Sequence, residues 1–390
     1  MSRRLRLLVL GMMGRAPFGG QTWLYLNWLS GLQRLGHEVW YVEDDLVWPY
    51  DPEQNRVTDD CRYAVAHVAE CTKRIGLGDR WVFRLLARTG ACWGLSETGL
   101  RDLYARADAL LNIGGAIRLH DEQLTVPCRV YLETDPVTLE LRLADGDQQG
   151  RDIVAQHHLF VTYGENYGAA DCRVPLGDLR FHRTRQPVDL GEWPEAWDAT
   201  AECFTTIGNY RQRGRDVAWR GQLYRWSKHH EWEKFIDLPR RTSQAFELAV
   251  KVHREDDLAR LTAHGWRVIS PLKFSLDVFG AYRDYIQGSR AEFTVAKDQN
   301  VRLRSGWFSE RDACYLASGK PVVAQDTGFS NVMPTGEGLF ACATVEEAAA
   351  SVERINADYR RHCLAARALA EEYFEATRVA DRLLRDIGLA

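Results

Sequence analysis

Apolar residues run through Leu5–Leu10, interrupted only by Arg6. After a loop carrying glycines at 11, 14, 19 and 20 they return at helical spacing in TWLYLNWLSGLQRLG, and a second apolar run, HEVWYV, follows. A short continuous run reads as a strand buried on both faces, and a spacing of three to four reads as an amphipathic helix. Gly36 stands where a helix C-cap belongs. The first forty residues are therefore predicted to form a strand–loop–helix–strand unit, the opening of a doubly wound parallel sheet. Further strands are expected at 109–115 (ALLNIGG), 128–135 (CRVYLETD) and 159–165 (LFVTYGE), each ending in polar or glycine residues, where open α/β sheets hold their ligands.

Between Thr184 and Ala201 the chain is rich in Pro, Gly and Trp and has neither period, so it reads as a crossing between domains. The alternation then resumes. Strands are expected in CFTTIGNY (203–210), FELAV (246–250), LTAHGWRVISP, AEFTVAK (291–297) and PVVAQD (321–326). Helices are expected in SKHHEWEKFIDL, FSLDVFGAYRDYIQGSR and SERDACYLASG. The stretch from Thr344 onward is charged, alanine-rich and helix-periodic, with apolar stripes suited to packing on the sheets. The pattern predicts an α/β fold with two Rossmann-like domains facing a cleft, followed by C-terminal helices. The expected divisions are residues 1–190, 203–375, and a terminal helix at 376–390 packing back toward the first domain.

Composition narrows the function. A chain of 390 residues suits two domains, and 45% hydrophobic with 27% charged residues supplies ample core. A net charge of −4 speaks against a nucleic-acid binder, which carries a basic surplus. The nine cysteines include no C-x-x-C pair and read as reduced thiols, so a cytoplasmic protein is expected. The N-terminal SRRLRLLVLGMMG has a short apolar stretch that runs into a glycine loop rather than a cleavage site, and no membrane span is expected. Arginine far outnumbers lysine, of which there are seven.

The stretch SGWFSERDACYLASGKPVVAQDTGFSNVMPTGEGLFACATVEEAAASVERI resembles the donor-binding half of GT-B glycosyltransferases, in which a loop, a helix, a Gly-x-Pro-Val-Val turn, a strand and a sugar-contacting loop follow in that order. GGQTWLYLNWLSGLQRLGHEVWYV looks like the same enzymes' first glycine loop, helix and second strand. The two glutamates found eight positions apart in many retaining members fall on Gly306 and Cys314 here. The His-Gly-Gly diphosphate motif and the N-terminal histidine base of inverting members are absent. The resemblance implies a nucleotide-diphosphate sugar (UDP- or TDP-linked) as co-substrate and no cofactor. The partners it implies are that donor and a small-molecule acceptor such as a bacterial secondary metabolite, reached by hexosyl or deoxyhexosyl transfer.

A leaving diphosphate calls for helix N-terminal N–H groups and cations. The expected contacts are Ser305, Gly306 and Ser309 ahead of the helix, with Arg211, Lys228 and Lys297 as cations. Gln325, Asp326, Thr327 and Glu337 are candidates for the donor sugar or ribose, and Val268–Pro271 for the base. Gly19 and Gly20 admit close approach of acceptor or sugar. The leading general base is Asp135, ahead of Glu133, His120 and the Glu43-Asp44-Asp45 cluster. No metal is expected, since no Asp-x-Asp motif stands in a suitable context. Three other readings fit less of the pattern: a sugar-nucleotide epimerase of the same architecture, a non-catalytic nucleotide-binding partner protein, and a Rossmann dehydrogenase, whose G-x-G-x-x-G spacing is missing.

Overall fold

The structure is a computed structural model. It describes residues 3–88 and 90–389, except the side chain of Lys273. The first sheet has eight strands. From one edge they are Phe181–Arg183, Leu159–Thr162, Arg129–Glu133, Ala109–Ile113, Arg6–Leu10, Glu38–Asp45, Trp81–Leu85 and Cys92–Trp93. All pair in parallel except the last, which runs antiparallel to Trp81–Leu85. The apolar run Leu7–Leu10 follows from burial on both faces. Leu7 and Val9 pack with Trp23, Leu26 and Leu29 of the helix Gly19–Arg34. Leu8 and Leu10 pack on the other face with Leu100, Leu103 and Tyr104.

The second sheet has six parallel strands, in the order Arg267–Ile269, Ala245–Lys251, Cys203–Asn209, Ala291–Thr294, Val322–Gln325 and Leu339–Cys342. Phe204, Phe246, Phe293, Trp232 and Trp266 fill one of its faces. In each sheet the strand order reverses beside the first strand, the position where open α/β sheets form a crevice.

Two expected helices are broken. SKHHEWEKFIDL forms the helix His229–Trp232 and a 3-10 turn, Glu233–Phe235. FSLDVFGAYRDYIQGSR divides into Leu272–Leu276 and Ala281–Gln287. The break has a local cause: the Asp277 carboxylate accepts the backbone N–H of Gly280 (3.1 Å) and of Ala281 (2.9 Å), ending one helix and starting the next. A hairpin, Val217–Trp219 with Gln222–Tyr224, was not foreseen. Its turn places Arg220 and Gly221 at positive φ (50° and 72°), as a two-residue hairpin turn demands. Val217 and Tyr224 pack against Val137 and Leu141, so this hairpin from the second half of the chain lies on the helix Thr138–Ala144 of the first.

The chain crosses between the sheets twice, side by side. Val188, on the outward crossing, forms a parallel bridge with Glu375 on the return. The helix Ala376–Asp386 then packs along Gly19–Arg34, so closely that a Cβ at Gly31 would lie 2.4 Å from the Ala376 carbonyl.

Candidate active site

The carboxyl ends of Arg129–Glu133 and Ala291–Thr294 meet across the cleft, and the residues just beyond each strand form its floor. Lys297 donates to Asp135 from the opposite side, and its ammonium lies 3.2 Å from the centre of the Trp226 ring. Lys228 stands nearby, 5.1 Å from the centre of the Trp307 ring, and makes no hydrogen bond or ion pair among the described residues. Three residues expected from sequence are thus brought together: Asp135, Lys228 and Lys297.

Electrostatics distinguishes the two lysines. Burial lowers both pKa values. For Lys297 the Asp135 carboxylate works against that fall. Lys228 is further depressed by the neighbouring Arg311 and Lys297, with Asp312 and Asp135 partly offsetting them, and comes down to about 8. It is a desolvated cation without a counter-ion of its own. Asp135 has one oxygen on Lys297, while its Oδ1 meets no hydrogen-bond partner among the described residues.

The other expected contacts are placed differently. Arg211 is held by Asp257 in the first turn of the helix Glu255–Ala263 (2.8 Å for Nη2), so its charge is already neutralised. Ser305 is fully buried; its hydroxyl donates to Asn300 Oδ1 (2.9 Å) and accepts from the Trp307 N–H. Gly306, at φ +82°, receives Asn166 of the first domain, and a Cβ there would lie 2.3 Å from the Asn166 backbone nitrogen. Ser309 caps the helix Glu310–Ala317 reciprocally with Asp312, which occupies donors that a phosphate would need.

The sugar-contact expectations fare similarly. Thr327 is fully buried and donates to the Trp307 carbonyl (2.5 Å). Asp326 is taken up by Arg304 (3.2 Å) and by the N–H of Gly328 (2.9 Å). Gln325 is buried, donating to Glu231 Oε2 (2.7 Å). Glu337 precedes the strand Leu339–Cys342 and so lies at the opposite end of a parallel sheet from the cleft, paired with Arg361. Val268–Pro271 closes the edge strand Arg267–Ile269. Gly19 and Gly20 begin the first helix under Tyr282 of the second domain; a Cβ on Gly19 would lie 2.4 Å from that ring. These glycines serve packing between domains.

The weaker base candidates are also engaged. Glu43 accepts from the backbone of Gly14 and Arg15 and from the Tyr41 hydroxyl (2.5 Å). Asp44, His120 and Glu122 could together hold a metal ion, but the Arg84 guanidinium already bonds both Asp44 (2.6 Å) and Glu122 (2.6 Å). Glu133 is buried against Glu140 and Thr162, and burial with a neighbouring carboxylate pushes its pKa well up.

Sequence reasoning missed Arg311 and the two cleft tryptophans. Arg311 reaches under the floor to Glu292 (2.5 Å), the Ile207 carbonyl (2.5 Å) and Thr294 (2.8 Å). A glutamate inside the fully buried strand AEFT was the available signal, since a buried carboxylate requires a partner. Trp307 donates to the Thr134 carbonyl (3.0 Å), so the Ser305–Ser309 loop is tied to the first domain through Trp307, Asn166 and Gln186.

Comparison of the whole structure with solved structures settles the architecture. AviGT4, a glycosyltransferase involved in avilamycin A biosynthesis, aligns over 98% of this chain and 96% of its own at a TM-score of 0.52 and 15% identity. HepE of Anabaena in complex with UDP-glucose aligns over 99% and 100% at 0.58 and 13%. The fold is GT-B. An α-glucosyltransferase bound to UDP and a 13-mer DNA with a central A:G mismatch aligns over 99% of both chains at 0.60 and 10%. No family model and no curated protein matches the sequence. At such identities the likeness extends to the fold, and the chemistry rests on the site. Among the described residues, no helix is long and apolar enough to cross a membrane.

Proposed function

We propose that this GT-B chain transfers a glycosyl group from a nucleotide-diphosphate sugar to a hydroxyl of a small-molecule acceptor. The observation carrying this reading is Lys228, an unpaired ammonium desolvated in the cleft beside the Ser305–Ser309 loop. A preorganised cation of this kind stabilises charge that develops on a leaving group. In the proposed step the bond from the sugar's anomeric carbon to the phosphate oxygen breaks, and its electron pair leaves with the nucleoside diphosphate beside Lys228. The acceptor oxygen bonds to that carbon and gives its proton to Asp135 Oδ1, the oxygen not held by Lys297.

The dinucleotide alternative is disfavoured by the first glycine loop. Its N–H groups at Met13, Gly14 and Arg15 already donate to Tyr41 and Glu43, leaving no cradle for a pyrophosphate. HepE and the DNA-bound α-glucosyltransferase were solved with UDP-glucose or UDP, which makes UDP the first nucleotide to try.

A thermal-shift series with UDP, TDP, GDP, ADP and NAD tests the reading, because a ligand that binds only the folded state raises Tm with concentration. One nucleoside diphosphate is expected to shift wild type and not Lys228→Ala. A shift with NAD alone would overturn the proposal. Since Lys228 supplies the positive charge at the leaving group, turnover is expected to survive EDTA; loss on chelation and return with Mg2+ would count against this role.

A further inference from the structure

Beside Asp135 opens a cavity of about 720 Å3, within the size range of small-molecule sites. Its floor and one wall come from the first domain: Tyr131, Thr134, Thr138 and Arg142, with Asp145–Asp147 at the rim. The other wall is the stretch Arg215–Ala218 leading into the unforeseen hairpin, together with Trp226. The site is therefore roofed by an element of the nucleotide-side domain and lies against the residue proposed as base.

Its lining identifies the chemistry of an occupant. Hydroxyls, carboxylates and guanidinium groups line it together with the aromatic side chains Tyr131 and Trp226 and the aliphatic Leu139, Ile153 and Val217. Carboxylates and arginines set around an aromatic face hold many hydroxyls at once, because carboxylates accept and guanidinium groups donate while ring faces cover C–H surfaces. A flat apolar molecule would leave those polar groups unpaired.

Charge excludes a second class. Arg142 is neutralised by Asp147 (3.1 Å). Asp216 accepts the backbone N–H of Trp226 (2.8 Å), and Asp145 lines the rim. Arg215 makes no ion pair among the described residues and lies over Trp226, 4.9 Å from its ring centre. One unpaired guanidinium among several carboxylates gives no positive surplus for a phosphorylated acceptor or a nucleic-acid backbone.

We infer that this cavity holds a neutral saccharide, so that the acceptor hydroxyl belongs to a sugar already present on the acceptor molecule. The inference rests on the glycosyltransferase reading above and names its acceptor class. Arg215, stacked on Trp226, and Arg142 hold sugar hydroxyls.

The test is saturation-transfer NMR and calorimetry on the full chain with saturating UDP. The probes are the methyl glycosides of glucose, galactose, mannose and rhamnose, the flat phenol naringenin, glucose 1-phosphate and a 13-mer DNA duplex. At least one methyl glycoside should bind, with Kd raised tenfold or more in Arg215→Ala and in Arg142→Ala. Both variants should keep the wild-type Tm and the wild-type UDP affinity. The inference is overturned if only naringenin, the sugar phosphate or DNA binds, or if glycosides bind both variants as well as wild type. If glycosides bind in the cavity but no nucleoside diphosphate does, the saccharide site stands and the transferase reading falls.

Discussion

A half-buried ammonium without a carboxylate of its own costs stability, and Lys228 shows how that cost can be turned to binding. Its pKa has dropped from an ordinary 10.5 to about 8, so between those values the unfolded chain holds more protons and stability rises with pH. Below about pH 8 the charge is present and only partly offset, by Asp312 and Asp135, in the free protein. An arriving diphosphate supplies the missing counter-charge. Affinity for UDP should therefore fall about tenfold per pH unit as pH climbs from 8 toward 10, a slope set by the 1.36 kcal/mol that each unit represents. Titration calorimetry across that range checks it: Lys228→Met should bind weakly with no slope, and an identical slope in the variant would remove Lys228 from the site. At Asp135 the expectation concerns rate. Asp135→Asn should lower kcat about 10²–10⁴-fold with UDP affinity kept, as measured by UDP release with a saturating acceptor. The sequence offered both as candidates, Asp135 as a strand-end carboxylate and Lys228, beside Arg211, as a basic residue after the strand Cys203–Asn209. Arg311 was not legible, since its partners Glu292, Ile207 and Thr294 lie far from it along the chain. Short polar residues after a strand serve turn and ligand alike, and Thr327 and Asp326 are here engaged by the Trp307 carbonyl and the Gly328 N–H.

At the scale of elements, periodicity located what periodicity produces. The strand Arg6–Leu10, the helix Gly19–Arg34 and the helix Glu310–Ala317 stand where apolar spacing put them. Elements whose bounds are set by single polar contacts escaped, as with the Asp277 cap that divides one expected helix. The hairpin Val217–Tyr224 escaped because its three-residue strands are too short to show alternation and its turn is Arg-Gly, with an arginine in the left-handed region. Within the loop Ser305–Ser309, Gly306 packs directly against the Asn166 backbone of the first domain. Gly306→Ala forces a side chain into the left-handed region and displaces Asn166, and should cost about 1–3 kcal/mol. Denaturant unfolding measures that loss directly. An unchanged midpoint in Gly306→Ala would show that the loop moves freely of the first domain.

The whole molecule is held together by its two adjacent crossings and by the return of the helix Ala376–Asp386 to the first helix. Val379, Ala380, Leu383 and Leu384 are buried in that return. At about 1.5–3 kcal/mol for each fully buried large aliphatic side chain, their removal rivals the 5–15 kcal/mol that keeps an ordinary domain folded. Deleting residues 376–390 should therefore unfold the first sheet selectively. Limited proteolysis should cut the region 1–190 rapidly and spare 203–375, and equal resistance of both regions would contradict this. The same return also governs when the protein can fold during its synthesis. At roughly 5–20 residues per second, the ribosome needs on the order of 10–40 s to move from Val188 to Glu375. Throughout that interval the first sheet is complete in sequence, yet one face of its first helix is bare to water. The nascent chain thus emerges with its earliest-made domain maturing last, which makes that helix face the natural place for a chaperone to hold.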